Sequence, residues 1–241
     1  MTMVANSNHD SLRQQLQAGA DALALGLSDA QVGLLMDFLA LLQKWNKVYN
    51  LTAVRDPAEM LTHHLLDSLA VIRPLRRQLG LTEGVPVLPE RTFRLLDVGA
   101  GAGLPGVVIA IGCPEVEVSC VDAVGKKAAF IRQVAATLKL PNLCSLHARV
   151  ETLTTADWDV VSSRAFASLA DFVAGSAAAL RPSAGEGASP SAGVWMAMKG
   201  KHPGEELAAL PSATEVFHVE PLTVPGLDAE RCIVWMRKKQ G

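Results

Sequence analysis

The sequence has little that points to an oxidising compartment, a membrane or a polyanionic partner. Its four cysteines, at positions 113, 120, 144 and 232, form no Cys-x-x-Cys pair and no metal-ligand spacing, so we predict neither disulfides nor a cysteine-based metal site. No apolar run reaches about 18 residues, and residues 1–10 lack the basic-then-apolar pattern of a signal peptide. We therefore expect a cytoplasmic protein with no membrane partner. A net charge of −2 leaves any nucleic-acid contact to local patches.

A helical pattern occupies the first third of the chain. Between Asp10 and Leu79, apolar residues recur at three- and four-residue spacing, which is the helical period. Ser28 is placed to cap a second helix, and Asp56 followed by Pro57 predicts the start of a third. This part of the chain is predicted to be entirely helical.

After residue 92 the pattern becomes that of a parallel sheet with crossover helices. Strands are predicted at residues 94–98, 117–121, 144–147, 160–163 and 194–198, and helices at 106–112, 126–138 and 169–180. Residues 214–219 and 231–237 are β-like with no helical pattern between them, which predicts an antiparallel C-terminal hairpin. This α/β arrangement is the Rossmann-like sheet of class I methyltransferases, whereas a dinucleotide-binding fold continues with helix and parallel strand.

The chain is therefore predicted to have three parts. Residues 1–80 form a helical segment, residues 81–92 a linker and residues 93–241 the catalytic domain. Residues 182–193, rich in Ser, Gly, Ala and Pro, are predicted to form a surface insertion to which we assign no function.

A glycine-rich turn follows the first predicted strand. Residues 97–106 read DVGAGAGLPG, with small residues where the backbone must approach a ligand closely and Pro105 in the first helical turn. The segment from Gly101 to Gly106 also matches G-x-G-x-x-G, a weak dinucleotide signal. Asp97 favours a cofactor with an ammonium and a sulfonium, because a pyrophosphate prefers positive potential there. The turn thus predicts S-adenosylmethionine binding, with a dinucleotide enzyme and a purely structural turn as alternatives.

Two carboxylates are predicted to hold this cofactor. Asp97, at the strand end, is expected to accept hydrogen bonds from the amino-acid portion of the cofactor, directly or through water. Asp122 ends the next strand, 23 residues after Gly99, close to the offset of about 20 residues at which a carboxylate binds ribose hydroxyls.

The end of the fourth predicted strand limits the methyl acceptor. It has no Asn/Asp-Pro-Pro-Tyr/Phe cluster to bind an exocyclic amine, and no cysteine there or after strand five for attack on a pyrimidine. Guanine N7 is an acceptor that needs no general base, so we predict none. Arg164 is expected to stack on a base, bind phosphate or touch the cofactor, against the alternative of a surface salt bridge. Lys199 is a candidate for binding phosphate.

These features resemble the bacterial glucose-inhibited division protein B family, the small-subunit ribosomal RNA guanine-N7 methyltransferases. The similarity runs from about Leu41 onward and is carried by residues 45–52 (WNKVYNLT), 64–69 (HLLDSL), 97–106 and 163–166 (SRAF). The resemblance implies S-adenosylmethionine as the cofactor. It also implies 16S ribosomal RNA, the small subunit or an assembly intermediate as the partner, and N7 of a guanine as the acceptor.

The resemblance also implies site residues. It places cofactor contacts at Gly99 and Leu104 in the turn, at Val150 and Glu151 flanking the adenine, and at Arg164. Contacts from Gly101 and Gly103 are expected from the glycine pattern of the turn itself. A helix-capping carboxylate is the alternative for Glu151. His64, Arg164 and Lys199 are the candidates for contact with RNA, although His63 stands where the family often has Lys or Arg.

Other residues allow more than one role or have one excluded. His63, His64 and Asp67 are not predicted to bind metal, because His64 and Asp67 lie one helical turn apart, where a local hydrogen bond is commoner. Lys44, Lys47, Arg73, Arg76 and Arg77 form either an RNA-facing patch or an ordinary solvated helix face. A small-molecule methyltransferase and an RNA-binding assembly factor are the alternative functions, and a monomer is expected.

Overall fold

The computed structural model describes residues 2–81, 92–164, 166–182 and 192–239. Its front part consists of α1 (Thr2–Ala22), α2 (Asp29–Tyr49), α3 (Pro57–Met60), a turn of π-helix (Leu61–Leu66), α4 (Asp67–Leu69) and α5 (Ile72–Gln78). The predicted caps are confirmed, because Ser28 and Gln31 form a reciprocal capping box and Asp56 accepts hydrogen bonds from the backbone of Ala58 and Glu59. The regular helical period did not predict the π-helical turn.

A seven-stranded sheet forms the rest of the fold, in the order β3-β2-β1-β4-β5-β7-β6. The strands are β1 (Phe93–Val98), β2 (Val116–Asp122), β3 (Leu143–His147), β4 (Val160–Ser163), β5 (Val194–Lys199), β6 (Thr214–Leu222) and β7 (Arg231–Lys238). Strands β1 to β5 pair in parallel, and β7 is antiparallel to both β5 and β6. The predicted α/β class I sheet with a C-terminal hairpin is confirmed.

The crossover helices differ from the prediction in detail. They are α6 (Gly106–Gly112), α7 (Gly125–Thr137), α8 (Leu169–Ser176) and α9 (Gly204–Ala208). Helix α8 ends at Ser176 rather than at Leu180, because Leu180 forms a β-bridge with Trp158. Helix α9 was not predicted. Between β3 and β4 the structure has only the 3₁₀ turn Val150–Thr152.

Both faces of the central strands are buried, which explains their continuous apolar runs. Successive side chains point to opposite faces, so Leu95 joins one cluster of buried residues and Leu96 the other. The first cluster contains α6, α7 and the front helices, and the second contains α8. Within the described ranges, no helix is both long enough and apolar enough to cross a membrane.

Two of the predicted segments fall largely outside the described residues. Residues 82–91 of the linker and 183–191 of the insertion are among those that the structure does not describe. The division into three parts therefore stays a prediction. What the fold does provide is one edge at which β1 to β5 all end, and in parallel α/β sheets this edge carries the ligand site.

Candidate functional site

The glycine turn after β1 adopts backbone conformations that glycine favours. Gly99, Gly101 and Gly103 have φ angles of +65°, +58° and +82°. A Cβ on Gly103 would lie 2.5 Å from a methyl carbon of Val107, whereas a Cβ on Gly99 would meet no protein atom within 4 Å. Gly99 therefore presents bare backbone to open space, as a ligand cradle requires.

Pro105 stands immediately before α6 rather than inside its first turn, and its peptide bond with Leu104 is cis. Leu104 itself is buried in the first cluster. Leu104 therefore anchors the turn in the core, and its contact with the cofactor stays a prediction.

Asp97 holds the turn from beneath. Its carboxylate is completely buried and accepts hydrogen bonds from the Gly106 backbone N–H (3.0 Å) and the Ser162 hydroxyl (3.0 Å). Burial raises the pKa of Asp97 to about 7, against the opposing effect of these two bonds. Because both oxygens are used inside the protein, Asp97 fixes α6 and β4 to the turn.

Asp122 fixes the same turn from the next strand. One carboxylate oxygen accepts from the Gly101 N–H (2.9 Å), and the other accepts from the Val124 N–H (2.8 Å). Lys127 lies 3.9 Å from the carboxylate. Asp122 therefore links the turn to the start of α7 and still lines the cavity described next.

An open cavity, here called the turn cavity, lies over the ends of β1 and β2. Of the predicted cofactor residues, it brings together Gly99, Asp122, Val150 and Glu151. Val98, Val121, Ala123, Ala148, Arg149 and Phe166 complete its lining. Apolar walls with two carboxylates suit a flat heterocycle that bears hydroxyl groups.

Phe166 was not assigned to the site from the sequence, although it lies within the segment SRAF. Its ring packs on Phe172 of α8 with centroids 5.7 Å apart. The sequence feature that could have identified Phe166 is a large aromatic side chain three residues after the end of a strand. Arg164, predicted to contact the cofactor, does not line the turn cavity and lies in a second cavity.

This second cavity, here called the basic cavity, contains all three candidates for RNA contact: His64, Arg164 and Lys199. Its other lining residues are Val54, His63, Asp67, Met198, Gly200 and Arg231. Arg164 and Phe166 both follow β4, so the two cavities share one segment of chain.

Asp67 organises the basic cavity. It is 3% exposed, and its carboxylate oxygens accept from Arg164 Nη1 (3.1 Å) and from Arg231 Nε (2.8 Å). Arg164 Nη1 also donates to the backbone carbonyl of His63 (2.9 Å). Arg164 is therefore held in place by a buried carboxylate, in contrast to the alternative of a surface salt bridge.

Two members of this arrangement were missed from the sequence. The sequence assigned neither Asp67 nor Arg231 to the cofactor or to RNA, and Arg231 was predicted only as the start of a strand. The expected hydrogen bond between His64 and Asp67 is wrong, since Asp67 is engaged by the two arginines. No local pattern connects Arg231 to Asp67. Only the position of Arg231 at the start of β7, beside the end of β5, could have placed it near this site.

Lys199 already has an acidic partner. Its ammonium donates to both carboxylate oxygens of Glu206, at 2.7 and 2.9 Å, and Glu206 also accepts from the Leu169 N–H. A phosphate at Lys199 would compete with this carboxylate, which α9 supplies.

His64 is a neutral, buried residue of the basic cavity. Its Nε2 lies 2.8 Å from the Thr52 hydroxyl, and its Nδ1 has no hydrogen-bond partner among the described residues. Burial, followed by the positive charge of Arg164, lowers the pKa of His64 to about 4.

This shifted pKa predicts a pH-dependent stability. Between pH 6.5 and pH 4 the unfolded chain protonates this histidine while the native state does not, so protonation stabilises the unfolded state. We expect the unfolding free energy of the wild type, relative to His64→Gln, to fall by about 3 kcal/mol from pH 7 to pH 4. Urea unfolding across this range measures it.

His202→Gln is the control variant, because it removes one exposed histidine and leaves the buried one in place. It should leave the pH dependence of the wild type in place. Parallel pH curves for the wild type and His64→Gln would contradict the expectation.

Two of the five residues of the predicted basic patch, both in α5, are paired with carboxylates. Arg76 pairs with Glu115 at 3.1 Å and Arg77 with Glu220 at 2.6 Å. At these two positions the structure favours ion pairs over a free RNA-facing surface.

Comparisons with known proteins identify the family of the chain. The family model GidB, described as rRNA small subunit methyltransferase G, matches residues 31–234. The chain is 65% identical over 228 residues to "Ribosomal RNA small subunit methyltransferase G" of Albidiferax ferrireducens, covering 94% of this chain and 97% of that relative. It is 66% identical over 226 residues to the protein of the same name from a Polaromonas species, covering 94% and 93%. The predicted family resemblance is confirmed.

A solved structure supports the fold alone. A SAM-dependent methyltransferase from Aquifex aeolicus aligns with a TM-score of 0.51 at 15% identity, covering 82% of this chain and 97% of that one.

Proposed function

The chain belongs to the rRNA small subunit methyltransferase G family, and we propose that it transfers a methyl group from S-adenosylmethionine to N7 of a guanine in 16S ribosomal RNA. The observation that carries this proposal is the pair of cavities joined by the segment after β4. One cavity suits the cofactor and the other carries the cations that an RNA substrate requires.

The residues of the turn cavity fit S-adenosylmethionine. Gly99 leaves space where any Cβ would intrude, Val150 and Phe166 offer apolar contact to the adenine, and Asp122 and Glu151 offer acceptors to hydroxyl and amino groups. The cofactor supplies a methyl group on a sulfonium. In this proposal Asp97 is a positioning residue, because it holds the turn without facing the cavity.

The remaining predicted residues act on the same turn or beside it. The Gly101 N–H donates to the carboxylate of Asp122, and Gly103, which has no Cβ, leaves room for the side chain of Val107. Leu104 anchors the turn in the core. Together they fix the backbone conformation of the turn on which we place the cofactor.

The basic cavity orients the acceptor. Guanine N7 has a lone pair and no proton, so the site has to align it with the methyl donor and has no proton to remove. Arg164 and Arg231, fixed by Asp67, present guanidinium groups suited to phosphate or to stacking on a base. His64 is neutral at pH 7 and adds no charge.

Removing the acceptor atom tests the N7 assignment. The methylated guanine is first located in wild-type product by reductive aniline cleavage, and an RNA carrying 7-deazaguanosine at that position is then assayed with labelled cofactor. We expect methyl incorporation to be lost, because the deaza base has carbon in place of N7. An RNA with 7-deazaguanosine at a neighbouring guanine is the control, and undiminished labelling of the first RNA would overturn the N7 assignment.

We propose further that the enzyme acts as a monomer in the cytoplasm on the small-subunit RNA or an assembly intermediate. A labelled-methyl assay that compares bare ribosomal RNA with isolated subunits distinguishes the two substrates.

A further inference from the structure

Exposed apolar side chains concentrate at one place on the described surface. Among the described residues, the large hydrophobic side chains classed as exposed are Val48 (70%), Tyr49 (40%) and Val124 (41%). They lie where the end of α2 meets the start of α7, because Lys126 Nζ donates to the Tyr49 carbonyl at 3.0 Å. We call Lys47, Val48, Tyr49, Val124 and Lys126 the Tyr49 surface.

The two segments that form the Tyr49 surface contain no acidic residue. Residues 38–55 and 123–150 have neither Asp nor Glu, although the chain contains 24 of them. The basic residues in these segments are Lys44, Lys47, Arg55, Lys126, Lys127, Arg132, Lys139 and Arg149. These two segments are therefore positively charged although the net charge of the chain is −2, and Lys47 and Lys126 are both exposed.

The aromatic ring of this surface is held in place. Trp45 lies 5.0 Å from the Tyr49 ring and 5.4 Å from the Phe130 ring, measured between centroids. Phe130 belongs to α7 and is completely buried. The Tyr49 ring is therefore ordered before any partner arrives, which reduces the entropy lost on binding.

The surface also adjoins the turn cavity. The Val124 N–H donates to Asp122, and both Asp122 and Ala123 line that cavity. An extended ligand bound across Val124 would therefore pass beside the proposed cofactor site.

We propose that the Tyr49 surface docks an unpaired stretch of the RNA substrate, with one base stacked on Tyr49 and phosphates at Lys47 and Lys126. Lys126 lies beside Tyr49, to whose carbonyl its Nζ donates, and Lys47 is exposed on the same last turn of α2. A rigid aromatic ring accompanied by cations is the arrangement with which proteins bind single-stranded nucleic acid. The absence of acidic residues from these segments favours a polyanion as the partner. A protein partner does not require a surface that carries charge of one sign. This inference rests on the proposed function, since it presumes an RNA substrate.

The stacking contact is tested with Tyr49→Ala and the matched variant Tyr49→Phe. We expect Tyr49→Ala to raise the Kd for a bare 16S ribosomal RNA fragment about tenfold, while Tyr49→Phe, which keeps the ring, stays within about twofold of the wild type. Calorimetric affinity for S-adenosylmethionine should not change in either variant, which separates RNA docking from a damaged fold.

The phosphate contacts are tested with a Lys47→Gln, Lys126→Gln double variant. Each lost contact with single-stranded RNA lowers the slope of log Kd against log salt concentration by about 0.7, so we expect a decrease of about 1.4. Lys139→Asn is the control, because it removes one charge from beyond the far end of α7 and places a residue that tolerates the φ of +53° found there. It should leave the slope unchanged.

The outcomes separate this inference from the proposed function. If the wild type methylates ribosomal RNA but Tyr49→Ala and the double variant bind it with wild-type affinity and salt slope, the docking surface is overturned and the proposed function stands. If the wild type neither binds nor methylates ribosomal RNA, both are overturned.

Discussion

Gly99→Asp is expected to abolish binding of S-adenosylmethionine while the protein still folds. The added side chain meets no protein atom within 4 Å, so it enters the open space of the turn cavity that we assign to the cofactor. A carboxylate buried there without a partner costs several kcal/mol, and we expect affinity measured by calorimetry to fall at least about 100-fold. The φ of +65° adds about 1–2 kcal/mol of strain to the folded state.

Gly26→Asp is the matched control for that strain. Gly26 has a φ of +58°, and a Cβ there also meets nothing within 4 Å, but it lies in the loop between α1 and α2. It should lose similar stability and keep wild-type affinity for the cofactor. Wild-type affinity in Gly99→Asp would show that the cofactor does not lie on this turn.

Arg164→Ala is expected to lower kcat/KM for ribosomal RNA by about 100-fold, which corresponds to about 2.7 kcal/mol. Its Nη1 group bonds both Asp67 and the His63 carbonyl, so its removal leaves a buried carboxylate without one of its two partners and takes a cation from the basic cavity. Arg164→Lys should recover only part of the activity, because an ammonium lacks the planar fork. Single-turnover methyl transfer measures the effect.

Arg181→Ala controls for the loss of a comparable ion pair. Arg181 donates to the buried carboxylate of Asp159 and to the Asp157 carbonyl, near the amino-terminal end of β4 and so at the opposite edge of the sheet from the basic cavity. We expect it to cost stability and to leave kcat/KM within about twofold of the wild type, since it touches neither cavity. Equal losses of activity in the two variants would mean that Arg164 acts only through folding.

The parts of the fold that the sequence predicted are those with short-range causes. The apolar run of β1, the glycines after it and the cap at Asp56 each depend on neighbouring residues, and so their positions were foreseen. Part of the lining of the turn cavity was also foreseen, because Gly99 directly follows β1 and Asp122 ends β2, the strand that pairs with it.

The basic cavity was foreseen only in part, because its key contacts are distant in the chain. Asp67 and Arg231 are 164 residues apart and meet only through the register of β7 beside β5. The partner of Lys199 comes from a five-residue helix, α9, which has too few residues to show a period. Such contacts depend on tertiary packing, which overrides local preference.

Mapping of N7-methylguanine in 16S ribosomal RNA from living cells tests the account most directly. A strain without the gene is complemented with the wild type, Gly26→Asp or Gly99→Asp, and the modification is read by reductive aniline cleavage. We expect a methylated guanine with the wild type and Gly26→Asp, and its absence from the deletion strain and from Gly99→Asp. Persistence of that methylated guanine in the deletion strain would contradict it.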